Sequence, residues 1–451
     1  MAAPYTPYVS AGVPYGLPYG EFNILINPAL KTPYSIQYNF GMQHEFPQGY
    51  LLKVDYVGRL GRRLLAEADA SQLVDFPDNT GGSTQTMAGA MAGMTTQLRQ
   101  NAGAGALNDI LSLSPQPWFE DVLGAGVGAA NGFANNTQLV AYQAYPYPQR
   151  GDFADTMELL SAIGLLPPNV GMASQFASNT IWTNKGSSGY NGMLVTLHKN
   201  AGYGLQFDLN YTWSHSIDNV SLPANSIAGN NGVGFICDVN RPRECRGNSD
   251  FDVTNYFNGN FLYALPFGRG RSVAATIPYW ANEIVGGWEI SGLPSWHTGN
   301  AYTIYSNAFV AGFATNAPAT LTGPIALLQS HIHGGEGNSL NLFSSSAAAD
   351  AAFTGPTGFN IGTRNMLRGP GFFNIDLGLG KTFPIWEDKV NLRFRADAFN
   401  ATNHPNFAVP GSSGLDITEA SGVALGTITS TTGNASGDTA RVLQLALRLE
   451  F

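Results

Sequence analysis

RVLQLALRLEF, residues 441–451, is the stretch that decides the fold class. In an extended chain Leu443, Leu445, Leu447, Leu449 and Phe451 point one way, and Val442, Gln444, Ala446, Arg448 and Glu450 point the other. Unbroken period two is the mark of a strand with one apolar and one polar face. Val390, Leu392, Phe394, Ala396 and Ala398 alternate in the same way with Asn391, Arg393, Arg395, Asp397 and Phe399. So do Phe373, Ile375, Leu377 and Leu379 with Asn374, Asp376, Gly378 and Gly380. Further back, Leu205–Ser214, Phe257–Leu265, Ile36–Gln43, Leu52–Val57 and Met193–Leu197 repeat the pattern, with a weaker instance around Trp288 and Ile290. The reading gives nine strands.

Composition narrows the class. Charged residues are 12% of the 451-residue chain, where an ordinary globular protein has about 25%. Glycine (54 residues) is enriched and aromatics reach 12%. A 44% hydrophobic content excludes simple disorder, and a net charge of −9 excludes a strongly basic nucleic-acid binder, so no nucleic-acid partner is expected. No apolar run approaches the roughly 18 residues of a membrane-spanning helix. The opening MAAPYTPYVSAGVPYGLPYG lacks the basic and apolar regions of a secretory signal. Either the chain is cytoplasmic, or its true start lies upstream and it is a fragment.

Connection lengths carry more information than the strands. Pro47–Gly49, Ala201–Gly204 and the PIWEDK link after Phe383 are short, and the link from Leu265 to Trp288 opens with the turn-like PFGRGR. Between them run long polar segments, 59–190, 217–255, 298–372 and 401–440. They show little that looks like a domain, beyond a short helix near Thr156–Leu165. A soluble sandwich has no reason to sort its loops in alternation, whereas a membrane barrel has one rim of short turns and one of long loops. Strands of about ten residues suit a tilted membrane crossing, and aromatics stand near strand ends at Tyr211, Trp213, Phe383, Trp386 and Phe451. The expected fold is an all-β, antiparallel transmembrane β-barrel, partial, with nine to ten strands, short periplasmic turns and long extracellular loops. Residues 1–30 are an irregular lead-in and 31–451 the barrel segment.

Five blocks resemble Oar-like TonB-dependent receptors. They are NPALKTPYSIQYNFGMQHEFPQGYLLKVDYVGRLGRRL (27–64), GYNGMLVTLHKNAGYGLQFDLNYTWSHSIDN (189–219), NSDFDVTNYFNGNFLYALPFGRGR (248–271), GGWEISGLPSWHTGNAYTI (286–304) and RGPGFFNIDLGLGKTFPIWEDKVNLRFRADAFNATNHPNF (368–407). The terminal strand follows the last. The resemblance implies an outer membrane of a Gram-negative bacterium, a barrel of 22 strands around a plug, and import of a large solute driven by the TonB complex. Oar-like members carry, before the plug, a small β-sandwich resembling a carboxypeptidase regulatory domain. Neither plug nor TonB-contact segment is recognisable here, so the match is to the C-terminal part of a barrel. TonB becomes a partner only if a plug lies upstream, and autonomous energised uptake is not expected.

Several residues are candidates for roles. Leu443, Leu445, Leu447 and Leu449 are expected to face outer-membrane lipid. Arg393, Arg395, Asp397, Gln444, Arg448 and Glu450 are expected to face the lumen, either contacting solute or plug or neutralising one another across strands. By the resemblance, Phe451 is the signal read by the barrel-assembly machinery; a girdle residue is the plainer reading. Cys237 and Cys245, in CDVNRPREC, suit a disulfide in an oxidising compartment, with two free thiols as the alternative. His331 and His333 share a face of an extended segment near Glu336, but a metal site needs a third fixed ligand. Gly268-Arg269-Gly270-Arg271 lacks the context of a phosphate cradle and reads as a rim turn. Ser214, His215, Ser216 and Asp218 lack a nucleophile elbow, so no catalytic residues and no cofactor are expected. Two other readings stay open: a small stand-alone outer-membrane porin or adhesin, and a soluble secreted β-sandwich binding protein. The solute is not named by the sequence.

Overall fold

The computed structural model describes residues 23–69, 72–103, 105–167, 170, 179–202, 204–221, 235–312, 315–328, 331–335, 339–386, 390–418, 420–433 and 439–451. Residues 1–22 of the expected lead-in, and Glu336, lie outside the described residues.

Nine strands form one antiparallel meander: β1 (Tyr34–Phe46), β2 (Tyr50–Asp69), β3 (Asn179–Gly202), β4 (Leu205–Asp218), β5 (Asn255–Ala264), β6 (Trp288–His297), β7 (Phe372–Trp386), β8 (Val390–Phe399) and β9 (Val442–Glu450). Each strand pairs with its neighbours in sequence. The register holds the two faces apart across the sheet. One row runs Leu445, Ala396, Leu379, Ile290, Tyr263, Leu205, all apolar. The row beside it runs Gln444, Asp397, Gly378, Ser291, Leu262, Gln206, mostly polar. A short segment, Asn23–Ile26, adds to β3 in parallel.

Strand direction sorts the connections. The links that follow β1, β3, β5 and β7 leave from one rim, and the four long links leave from the other. β1 and β9 are the two edges of the sheet and are not paired with each other.

Two strands run much further than alternation indicates. The expected loop 59–190 loses its ends to β2, which continues to Asp69, and β3, which starts at Asn179. The reason is local. The β2–β3 register shifts between Gly61 and Leu64 and again between Leu64 and Ala66, and Arg63 sits at φ 53. Each shift changes which face the next residue takes, so period two is lost although pairing continues.

The remainder of that segment is a folded body, which corrects the expectation of a plain loop. It contains α1 (Met87–Asn101), α2 (Ala106–Leu111), α3 (Pro117–Leu123), α4 (Val127–Ala130), α5 (Asn136–Ala144), α6 (Tyr147–Arg150) and α7 (Phe153–Ala162). Thr86, Asn135 and Asp152 cap α1, α5 and α7 through side-chain oxygens that accept from Gly89, Gln138 and Asp155 N–H groups. The helices share a core of Met91, Met94, Leu98, Trp118, Phe119, Phe153, Met157 and Leu160, joined by Val310 and Phe359 from the third long link. A second core under the third and fourth long links holds Tyr302, Ile304, Leu342, Phe343, Leu367, Leu415 and Leu425. The long-link rim therefore carries a packed cap. Among the described residues no helix is long and apolar enough to cross a membrane.

Phe153 is fully buried and packs 4.8 Å, ring to ring, from Phe359. Phe153→Ala is expected to remove about 3–5 kcal/mol from the cap. Hydrogen exchange should then speed up in the helical peptides 87–162 and stay slow in β4–β8; equal acceleration everywhere would show that cap and wall unfold as one.

Candidate functional site

The cap is held together, and to the wall at Asp218, by arginines that the sequence did not single out. Arg99, on α1, donates Nε to Gln149 O (3.0 Å), Nη1 to Gly355 O (3.1 Å) and Thr357 Oγ1 (3.0 Å), and Nη2 to Arg150 O (3.0 Å) and Pro356 O (2.9 Å). All five guanidinium donors are used, which is the full capacity of the group. Burial draws its pKa down to about 10, still well above neutrality, so the charge is kept. Arg99 thus ties the first long link to the third.

Arg364 does the same for the second and third. It bonds Asp218 Oδ1 and, at 3.0 Å, Asp218 O, reaches Asp250 Oδ1 at 3.0 Å and Ser221 Oγ at 3.1 Å, and donates Nε to Cys245 O at 3.2 Å. Arg368 bonds the side chain and carbonyl of Asp252, whose Oδ1 also accepts from Ser216 N. At the N-terminus of α7, burial raises the carboxyls of the capping Asp152 and of Asp155 above the ordinary carboxylate range.

Cys237 and Cys245 are bonded to each other, with their Cα atoms 5.8 Å apart. Their loop docks on the extension of β2: Ile236 is fully buried against Ala66 and Cys245, and its N–H donates to Glu67 O at 2.8 Å. Glu67, also fully buried, accepts from Trp182 Nε1 at 2.9 Å.

On the polar face of the wall, Arg395 Nε lies 2.9 and 2.8 Å from the two carboxylate oxygens of Asp397. Arg393 and Arg448 stand directly opposite each other, and each reaches Glu450 at 3.7 Å. Gln444 faces Asp397 across the pair. These charges neutralise one another only in part along strands and in part across them, and exposed pairs of this kind contribute about 0–1 kcal/mol. Further along the face, Thr196, Asn210 and Asn258 form a chain of side-chain hydrogen bonds of 3.0 and 3.2 Å. On the other face Leu443, Leu445, Leu447 and Leu449 are 53–75% exposed. Phe451 follows the last residue of β9 and touches nothing.

The remaining candidates separate. His331 and His333 stack at 6.4 Å, and His331 lines a cavity of about 380 Å³ with Trp296, Phe373, His404 and Phe407. Among the described residues no three His, Cys, Asp or Glu side chains converge as a metal cluster. His215 Nδ1 lies 3.4 Å from Asp252, while Asp218 is held by Arg364, and Ser214 Oγ donates to Val253 O. Gly268 and Gly270 take φ 116 and 74 in a turn on the rim opposite the cap.

A sheet with one continuous apolar face, short links on one rim and a folded cap on the other is the wall of a transmembrane β-barrel. The family model of the outer membrane beta barrel domain matches residues 2–444, and the chain belongs to that family. It is an outer-membrane protein with a β-barrel domain. No curated protein matches its sequence. Among solved structures it is similar to the outer membrane transporter YddB from Escherichia coli, at 9% identity and a TM-score of 0.36, over 95% of this chain and 34% of that one. The chain spans about a third of that transporter's length.

The disulfide should be present in protein taken from the outer membrane. Non-reducing mass spectrometry of the peptide spanning 237–245 is expected to show the linked mass, and two alkylatable thiols in freshly isolated protein would refute it.

Proposed function

We propose that this chain is the C-terminal part of the barrel of an Oar-like TonB-dependent receptor that takes up a large solute. The observation that carries the reading is the direction of the edge strands. In a meander of nine, β1 and β9 run the same way, so antiparallel closure needs an odd number of further strands. A 22-stranded receptor wall would supply an odd number; a stand-alone nine-stranded barrel would have to close through a parallel pair. The five resembling blocks support the same reading.

In this reading the apolar face, including Leu443, Leu445, Leu447 and Leu449, meets outer-membrane lipid. Arg393, Arg395, Asp397, Gln444, Arg448 and Glu450 face the lumen. The short-link rim is periplasmic, and Phe451, at that rim, is read by the barrel-assembly machinery. The cap meets the solute from outside. The TonB complex is a partner only if a plug lies upstream of the sequence described. The work is binding and passage, with no covalent step.

Leu445→Lys should block membrane assembly while Gln444→Lys is tolerated, because a mid-depth lysine facing lipid costs about 2–4 kcal/mol and one facing the lumen stays hydrated. Equal amounts of both variants in the assembled membrane fraction would count against the wall. Cells expressing these 451 residues alone should show no TonB-dependent accumulation of solute. Accumulation that disappears when TonB is deleted would mean that the plug function resides within the cap.

A further inference from the structure

The link between β5 and β6 is the long exception on the short rim. It carries α8 (Tyr279–Val285), and the helix turns its apolar side chains outward. Tyr279, Trp280 and Ile284 are 70, 71 and 64% exposed, and Val285, Val273 and Phe267 are exposed beside them. The open edges of the sheet do not account for this, because β5 and β6 lie in the middle of the nine strands.

Two side chains fix where the helix sits, and both come from the apolar face. Lys381 of β7 donates Nζ to Glu283 O at 2.5 Å, and Trp288 of β6 donates Nε1 to Ile284 O at 2.8 Å. Lys381 and Trp288 are register partners, in the row that continues through Phe394 to Leu447. The helix is therefore attached on the outer side of the rim. Lys381 is only 4% exposed, its ammonium lying 5.4 Å from the Trp288 ring centre and 4.7 Å from that of Phe383. A lysine in an apolar row is expensive unless its charge is engaged, and the unpaired carbonyls at a helix C-terminus engage it. On the other flank, exposed Arg269 lays its guanidinium 4.1 Å over the Tyr279 ring, and Arg271 is exposed next to it.

We propose that residues 267–285 form a membrane foot that docks on the inner-leaflet phospholipid surface of the outer membrane. Tyr279, Trp280 and Ile284 enter the boundary between headgroups and acyl chains, and Arg269 and Arg271 meet the phosphates. Lys381 is the positioning residue that holds the helix in plane. The proposal rests on the reading that the apolar face meets lipid and that the short rim is periplasmic. The occupant is lipid because the exposed patch is continuous with the apolar face of the wall. Aromatic residues with arginines beside them also match the interfacial zone, where a ring can be half apolar and half wet. The same construction recurs on β3. Lys199, also 4% exposed and also in the apolar row, lies 4.4 Å over the Tyr50 ring and donates to Gln48 O at 3.3 Å.

The test uses the full chain in isolated outer membranes, with a fluorophore on Trp280→Cys and, separately, on Leu445→Cys. Nitroxide lipids carrying the quencher near the headgroup or deep in the chain, and aqueous iodide, locate each label. The label at 280 should shift to the blue on assembly, respond best to the shallow nitroxide and be shielded from iodide. The label at 445 should respond to the deep nitroxide. Lys381→Met should open the 280 label to iodide and leave the 445 label unchanged, and Lys381→Arg should keep the wild-type response. If the 445 label is quenched by lipid and the 280 label is open to iodide, the foot alone is overturned. A 280 label shielded from iodide without lipid quenching, as beneath a periplasmic protein, overturns it too. If neither label is quenched by lipid, the wall reading fails and the foot falls with it.

Discussion

In hydrocarbon a backbone N–H or C=O has no water to bond, so a strand survives there only if both its edges are paired. The rest of this molecule follows from that constraint. The seven inner strands meet it from both sides, and each register row carries its apolar residue to the same face. β1 and β9 meet it on one side only. Their side chains are exposed along nearly their whole length on both faces, which is the condition of an unpaired edge. Because both edges run in one direction, antiparallel closure takes an odd number of further strands.

The same antiparallel order puts the four long links on one rim. There the backbone leaves the sheet for long distances, and its polar groups are satisfied by packing and by arginine. Arg99 and Arg364 each spend a whole guanidinium on acceptors from links far apart in sequence, and the disulfide loop locks onto the prolonged β2 through Ile236. Isolated surface ion pairs would contribute little to such a cap. Hubs that saturate a partly buried guanidinium contribute more, because removing one strands several acceptors at once. The cap is therefore a body whose links are held to one another by these hubs.

The wall was legible because two faces in different solvents force strict alternation on every strand. The nine strands could be read from residues such as Leu443 to Leu449 and Leu392 to Ala398. Alternation stopped short where β2 bulges at Gly61–Ala66, since pairing persisted while phase did not. The cap was hidden by composition: short helices rich in Ala, Gly and Asn look like a loop. One signal was available, the spacing of Met87, Met91, Met94 and Leu98, which puts four apolar side chains on one face of α1, all buried. The arginine hubs were not legible, since Arg99 bonds carbonyls more than two hundred residues away and carbonyls leave no mark on a sequence. The charged set on β8 and β9 was legible as a set, but not in its pairing: Arg393 meets Arg448 head on, with Glu450 shared between them.

The apolar rows also measure the membrane. On β7 the row runs from Phe373, against His404 at the cap side, through Lys381 near the short rim to Phe383. On β3 it runs from Asn191, whose Oδ1 accepts from Tyr38 and Tyr56 hydroxyls at 2.8 and 3.0 Å, to Lys199. From Phe373 to Lys381 and from Asn191 to Lys199 is eight residue steps each, about 27 Å along a strand. With a barrel tilt of about 35–45° that becomes roughly 20 Å across the membrane, close to the apolar band of about 25 Å in outer-membrane barrels. At the short-rim end each row carries a covered lysine bonded to a rim carbonyl and lying against an aromatic ring. Two strands separated by three others in the sheet thus meet the short rim with the same chemistry, Lys199 standing in the register row of Leu377, four residues before Lys381. A lysine set in an apolar row needs its charge engaged, and a carbonyl of the neighbouring rim link supplies the partner in both places.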